Sequence, residues 1–406
     1  MGLTAFINAR LVTAGGVSPG TLLVAGDAIA ALGAVDVPAE AEVHDLNGLM
    51  LAPAIVDLGV FAADVAACHA GGIVRIGLMP DQSPVLDEPG IVQRAALIGR
   101  PDLWIHPIAA ATRGLAGREL AEMAINRGAG ARAVGTGRGW IADSGVMRRA
   151  LLYAHDLGLA MIAHAEDGGL AAGAVATQGE TATRLGLAAA PALAEALAVA
   201  RDLMLAEETG ARLHFRQLTT AAAFDLVRAA KRRGVAVSCG ITPAHLLLSD
   251  IAMADFRTFT HLSPPLRSEA DRQAALAALA DGTIDLICSG HDPRGPEEKR
   301  LPFADSSPGA AGAESLLALA LGLVRDERIT LPRLFSLLAA APAQVLGVET
   351  GRLEPGLPAD LLVFDDQAPW QISADRYAGR AGNTPFDGLP VQGQVRQLYK
   401  GGRRLV

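Results

Sequence analysis

Aromatic side chains are scarce in this chain: 3 Trp, 3 Tyr and 10 Phe among 406 residues. Ala and Gly dominate instead, which favours close helix packing over a core of large rings. Cysteine is nearly absent. Cys68, Cys239 and Cys288 are odd in number, scattered and in no CxxC pair, so a disulfide framework is excluded and buried thiols in a reducing cytoplasm are expected. No run of five or more basic residues occurs, and the formal charge of -8 argues against a nucleic-acid surface. The first residues show no charged segment leading into an apolar one, so no signal peptide is expected. The apolar stretch Ser315–Val324 is too short to span a bilayer. A cytoplasmic chain without membrane or nucleic-acid contact follows as the expectation.

What is present is apolar residue in quantity, 50% of the chain, enough for a sizeable core. Residues 4–50 hold short apolar runs broken by Gly, read as strands with hairpin turns. From about 51 to 345 short apolar runs alternate with longer Ala/Leu-rich segments. The candidate strands are Leu51–Leu58, Ile73–Met79, Leu103–Ala109, Ala131–Gly135, Ala160–His164, Arg212–Phe215, Ala236–Cys239 and Ile284–Ser289. Candidate helices include Val146–Leu157, Leu193–Glu208, Ala221–Arg233 and Ser268–Ala280, the last two with apolar residues at three- and four-residue spacing. Eight strand–helix alternations predict an α/β fold, a (β/α)8 TIM barrel over residues 51–346. After 346 short strands return. Residues 1–50 and 347–406 are expected to pair into one small β-sandwich domain built from both chain ends.

The run Leu51-Ala-Pro-Ala-Ile-Val-Asp57-Leu-Gly59-Val-Phe61 resembles the first barrel strand of an amidohydrolase, and Gly351-Arg-Leu-Glu-Pro-Gly356-Leu-Pro-Ala-Asp360 resembles the turn where that superfamily re-enters its β domain. Further segments narrow the resemblance: Pro191–Arg201, Glu207–His214, Thr242-Pro-Ala-His245, Ser263-Pro-Pro-Leu-Arg267, Asp281-Gly-Thr-Ile-Asp285 and Asn383-Thr-Pro-Phe386. In order and spacing the chain is similar to dihydroorotase of the longer bacterial class along nearly its whole length. The resemblance implies the reversible cyclisation of carbamoyl aspartate in pyrimidine synthesis. It also implies zinc that polarises an amide carbonyl and lowers the pKa of a bound water, an Asp acid–base on the last strand, and an Arg and an Asn for the substrate carboxylate.

Matched residue by residue, most of that machinery is missing. The His-x-His positions of the first strand read Gly59 and Phe61, and neither side chain can ligate a metal. The carboxylate-binding Arg aligns with Ala63, and the substrate Asn with Asp81, whose charge would repel an anionic substrate. The paired aspartates of the fourth strand fall near Thr136 and Gly137. The fifth-strand ligand remains as His164, a vestigial ligand position. The sixth-strand ligand reads Gln217, the last-strand Asp reads Gly290, and the substrate His that follows reads Arg294. A single imidazole does not hold zinc, so no metal, no cofactor and no catalytic residue are expected.

The plainer readings are stated beside these. His164 is an ordinary barrel-mouth histidine, and Glu166 and Asp167 are solvated or capping carboxylates. His291 and Asp292 diverge at a strand end rather than forming an acid–base pair. His245 and His261 are structural, Asp57 shares the ligand face only marginally, and Cys68-His69 is an isolated pair. A metal centre rebuilt from Asp57, His164, His291 and Asp292 is the weaker alternative. Two functions remain in view. One is a non-catalytic dihydroorotase homologue acting as the structural partner of aspartate carbamoyltransferase in a homo- or hetero-oligomer, as the resemblance implies for degenerate members. The other is an enzyme of altered or residual cyclic-amide hydrolase activity, whose barrel mouth binds an anion through Arg75, Arg113, Arg138 or Arg294.

Overall fold

Five strands open the chain: β1 (Leu3–Thr13), β2 (Gly16–Ala25), β3 (Ala28–Gly33), β4 (Glu42–Asp45) and β5 (Met50–Pro53). The middle holds β6 (Ile55–Val60), β7 (Ile73–Leu78), β8 (Trp104–Ala110), β9 (Ala133–Gly135), β10 (Ala160–Ala163), the short β11 (Ala176–Thr177) and β12 (Ala189–Ala190), β13 (Leu213–Phe215), β14 (Val237–Ile241) and β15 (Leu286–Ile287). β16 (Leu361–Gln371), β17 (Pro390–Lys400) and β18 (Arg403–Arg404) end it. These elements come from a computed structural model that describes residues 2–406.

Eight of the middle strands form one parallel sheet in the order β15-β14-β13-β10-β9-β8-β7-β6, with helices in the connections. Strands covered on both faces should be mainly apolar, and every residue of β6 and β7 is buried, the charged Asp57 and Arg75 included. The two edge strands share no ladder. The curl is drawn together by the Phe61 N–H donating to the His291 carbonyl at 2.9 Å. The Asp57 carboxylate adds to this by accepting the Ser289 N–H at 2.9 Å. Inside the curl Val56, Leu58, Phe61, Ile108, Ile162, Leu286 and Cys288 pack together, and Ala343 and Leu346 plug the floor. Gly77 is needed there, since a Cβ at that position would stand 2.7 Å from Leu58 Cδ1.

The helices follow their sequence signals. Ser144–Asp156 is capped by the Asp143 side chain, which accepts the Val146 N–H at 2.8 Å. Ala221–Arg232 buries Ala223, Phe224, Val227 and Ala230 and ends on Lys231 and Arg232, favourable at a helix C-terminus. Leu193–Thr209 and Glu269–Ala280 complete the expected set. Among the described residues no helix is long and apolar enough to cross a membrane.

The chain ends meet as expected, in one continuous sheet of order β18-β17-β16-β5-β1-β2-β3, with β4 beside β1. Its own core holds Phe6, Leu11, Leu22, Ile29, Leu361 and Tyr399. The single strand Leu51–Leu58 expected from sequence is in fact two. Met50–Pro53 pairs with β1 and β16, and after Pro53 the chain passes into the barrel. Asp360 joins the two sheets. It accepts from Arg75 Nε of β7 at 2.7 Å and from Lys400 Nζ of β17 at 2.9 Å.

Candidate active site

The residues matched to the family's site lie at or beyond the C-terminal ends of barrel strands, so the fold brings them to one mouth. Gly59 and Phe61 end β6, Asp81 follows β7, and Thr136 to Arg138 follow β9. His164 follows β10, Arg216 and Gln217 follow β13, Thr242 and His245 follow β14, and Ser289 to Asp292 follow β15.

The centre of that mouth is taken by Arg216. Its guanidinium lies 4.9 Å from the centre of the Phe61 ring, and that of Arg138 lies 3.8 Å from the same ring. Phe61 therefore serves as a shared cation–π surface. A Cβ on Gly59 would meet Arg216 Cγ at 3.2 Å, so the Arg216 stem fills the space beside the first ligand position. The guanidinium donates to His164 Nδ1 and to Gln217 Oε1, both at 3.4 Å, and its Nε has no partner. No carboxylate lies within salt-bridge distance of Arg216 among the described residues, although it is only 4% exposed; burial lowers its pKa.

Around this cation most other groups are engaged, although Asp81 Oδ2 and His291 Nε2 have no partner. Arg138 Nη1 donates to Asp292 Oδ2 at 2.5 Å, and Arg294 bonds the same oxygen at 3.1 Å. Asp81 Oδ1 accepts the Arg138 N–H at 2.9 Å, and a Cβ on Gly137 would stand 2.7 Å from that oxygen. Gln217 Nε2 donates to His245 Nδ1 at 2.7 Å, while His245 Nε2–H donates to the Pro264 carbonyl at 3.1 Å. Burial above all lowers the His245 pKa to about 4, so this imidazole is neutral. The cavity left at the mouth is about 40 Å³, bordered by Phe61, Arg138, Arg216, Gln217 and Asp292. That admits a few waters and falls far below the roughly 300 Å³ at which small-molecule pockets begin.

Several expectations hold and others are corrected. His291 and Asp292 diverge: His291 Nδ1 accepts the Ala313 N–H at 3.4 Å, while Asp292 turns to the arginines. His261 is structural, bonded to Ser306 Oγ at 2.9 Å and stacked on Phe303. Asp167 caps a helix turn through the Gly169 and Leu170 N–H groups. Glu166 is not a solvated carboxylate. Burial raises its pKa, but His164 at 3.7 Å and Arg267 at 3.1 Å outweigh that and hold it at about 2. Arg75 is not at the mouth; it stands at the start of β7, bonded to Asp360 at the opposite end. Arg113 is exposed and paired with Glu122 at 3.5 Å. Among the described residues no three His, Cys, Asp or Glu side chains converge on one point, so Asp57, His164, His291 and Asp292 do not form a cluster.

Arg216 was overlooked because position-by-position matching reads Gln217 and passes its neighbour. A signal was there. Leu213 and Phe215 face the helices, so strict alternation puts His214 and Arg216 on the inner face, where a lone charge stands out.

Asp57 is buried and accepts both the N–H and the Oγ–H of Ser289. Burial raises its pKa to about 6 against those two bonds. A carboxyl raised on folding keeps its proton longer in the native chain, so stability falls as pH climbs from about 4 to about 6. Asp57→Asn removes that loss and keeps an acceptor for the Ser289 N–H. Its stability relative to the parent is expected to improve by up to about 3 kcal/mol between pH 4 and pH 7. Urea unfolding at both values tests this, and an unchanged difference between the two chains would refute it.

Comparison with known proteins gives the same family from independent directions. The model of the Amidohydrolase family matches residues 113–405. A dihydroorotase-like protein of Pseudomonas aeruginosa is 38% identical over 93% of this chain and 92% of its own length. A dihydroorotase of Pelotomaculum thermopropionicum is 37% identical over 96% of this chain and 95% of its own. Among solved structures, an L-hydantoinase (dihydropyrimidinase) from Arthrobacter aurescens superposes with a TM-score of 0.90 at 23% identity, covering 100% of this chain and 96% of that one. A dihydropyrimidinase from Brevibacillus agri reaches 0.85 at 22% identity, covering 100% and 95%. At such identities these two speak for the fold alone. The chain belongs to the amidohydrolase family, among the dihydroorotases and dihydroorotase-like proteins.

Proposed function

We propose that this chain is a non-catalytic dihydroorotase homologue that serves pyrimidine biosynthesis as the structural partner of aspartate carbamoyltransferase. The observation that carries the first half is Arg216, a buried guanidinium between Gly59, Phe61 and His164 where the family would hold its metal. The donor set does not fit zinc. Zinc takes anionic or imidazole ligands, and here a cation borders the one remaining imidazole while Gln217 is engaged by His245. On the substrate side, the position matched to the substrate Asn holds the carboxylate of Asp81, and the position matched to the carboxylate-binding Arg is Ala63.

The partnership rests on resemblance to degenerate members of the family, and what this chain offers it is a stable barrel whose mouth is free to change. The test is the mass in solution of this chain, alone and mixed with the aspartate carbamoyltransferase of the same organism. One stoichiometric complex is expected, with transferase activity that falls when this chain is withdrawn. Two independent peaks and an unaffected transferase would overturn the reading.

A second reading, an amidohydrolase-fold enzyme of altered or residual cyclic-amide hydrolase activity, is favoured by one observation: Arg216 lacks a counter-charge, as a group awaiting an anionic ligand would. Turnover of dihydroorotate by metal-depleted protein, lost in Arg216→Met, would move the conclusion to it.

A further inference from the structure

At the opposite end of the barrel the end sheet and the strand starts border an open cavity of about 630 Å³, lined by Arg75, Trp104, His106, Arg132, Lys400 and Asp27 among others. This is within the range of small-molecule sites, and it has no part in the mouth chemistry.

The charges there do not balance. Arg75 and Lys400 are 5% and 8% exposed, and both lean on the single carboxylate of Asp360. One buried positive charge is left over. Arg132, on the same wall, forms no ion pair among the described residues. Trp104 offers no anion either: Arg75, Arg100 and Lys400 already stand over its ring at 4.7, 4.5 and 4.2 Å. Arg403 is taken up by Asp102. The remaining carboxylates on the wall, Asp27 and Glu349, are exposed and make no ion pair with these cations, although Asp27 acts on Lys400 from a distance.

His106 supplies a second, independent sign. It lines the cavity, is 6% exposed, and its Nε2 has no hydrogen-bond partner. A buried ring nitrogen without a partner carries a desolvation cost, which the site recovers when a ligand supplies the partner. Burial first, and then the surrounding cations, keep the ring neutral, with a pKa lowered to about 3. An Nε2–H on a neutral ring would donate to an oxygen of an anion without adding a further charge.

We propose that this cavity, walled by Arg75, Arg132, Lys400 and His106 where the end sheet meets the barrel floor, binds a small molecule carrying at least two negative charges, as phosphate or carboxylate groups. Such a ligand would neutralise the excess charge, bond His106 and touch both sheets at once, so it would also fasten them together.

The test uses the whole chain and two probes, inorganic pyrophosphate and citrate, followed by calorimetric titration. Saturable binding at one site per chain is expected for at least one of them, and the preferred probe tells phosphate from carboxylate chemistry. Arg132→Ala, an exposed position that will not disturb folding, is expected to weaken the affinity by about tenfold or more, the worth of a charge-assisted bond. Absence of saturation up to about 10 mM probe, far weaker than a functional site, would overturn the proposal. So would binding indifferent to Arg132→Ala, which would mark scattered surface association, or binding lost only in Arg138→Ala, which would place the anion at the mouth.

Discussion

Restoring the family's ligands by Gly59→His, Phe61→His, Gln217→His and Gly290→Asp together is expected to give a chain that holds no zinc, turns over no dihydroorotate, and is severely destabilised. Two of the four positions resist any side chain. Gly59 has φ +83° and Gly290 φ +60°, in the left-handed region that side chains rarely adopt. A Cβ on Gly290 would stand 2.8 Å from Thr242 Cγ2, and one on Gly59 would press on Arg216. Strain of about 1–3 kcal/mol at each backbone position, with a similar cost for overpacking, takes a large share of a typical stability of about 5–15 kcal/mol.

Because that degree of strain can prevent folding outright, the pair Phe61→His with Gln217→His is the sharper measurement. It spares both glycines and is expected to fold, yet still to bind no stoichiometric zinc, since Arg216 keeps its charge among the three imidazoles. Metal content after exposure to zinc, read beside urea unfolding, decides the matter. Stoichiometric zinc with turnover in either variant would show that the mouth is only a few side chains from working, and would remove the main support for a non-catalytic role.

Much of this was legible in the sequence, and the illegible part has physical reasons. Barrel strands announce themselves as mainly apolar runs because both faces are covered, so the eight strands of the parallel sheet fell close to their expected places, whereas the short β11 and β12 were not expected. The break at Pro53–Ala54 was invisible because an apolar run does not say which sheet each half joins. β15 is only Leu286–Ile287, shorter than the run Ile284–Ser289, since the last strand does not ladder with the first. At the mouth, a missing ligand can be read from one position, but what fills the space it leaves cannot. Arg216 shows this, and so does Glu166, whose partner Arg267 lies 101 residues along the chain. Arg75 was misplaced for the converse reason: alternation gives the face of a strand and not the end of the barrel at which a residue stands.

Asp360→Ala is expected to cost about 3–5 kcal/mol, the range for removing one partner of a buried ion pair. The carboxylate is 4% exposed. It takes Arg75 and Lys400 and also the Gly401 N–H at 3.0 Å and the Thr350 hydroxyl at 3.3 Å. Removing it leaves two buried cations facing each other across the junction of the sheets. Burial raises the pKa of this carboxyl, but Arg75 and Lys400 outweigh it and hold the value below the ordinary one. A depressed carboxyl contributes stability that is complete above its unfolded value, near 4, and is lost as pH falls through the folded value. The deficit of Asp360→Ala should therefore be full at pH 7 and shrink in acid below about pH 4. As a contrast, cutting the exposed pair Arg148–Glu208, bonded at 2.6 and 3.0 Å, by Glu208→Ala should leave stability nearly unchanged, because solvent screens it. The most telling comparison is the triple variant Arg75→Met, Lys400→Met and Asp360→Leu. If the single substitution is costly because it strands charge, the triple, which strands none, should be more stable than Asp360→Ala despite changing three residues. A triple variant weaker than the single would mean that the cluster holds the sheets together by its bonds rather than by the balance of its charges.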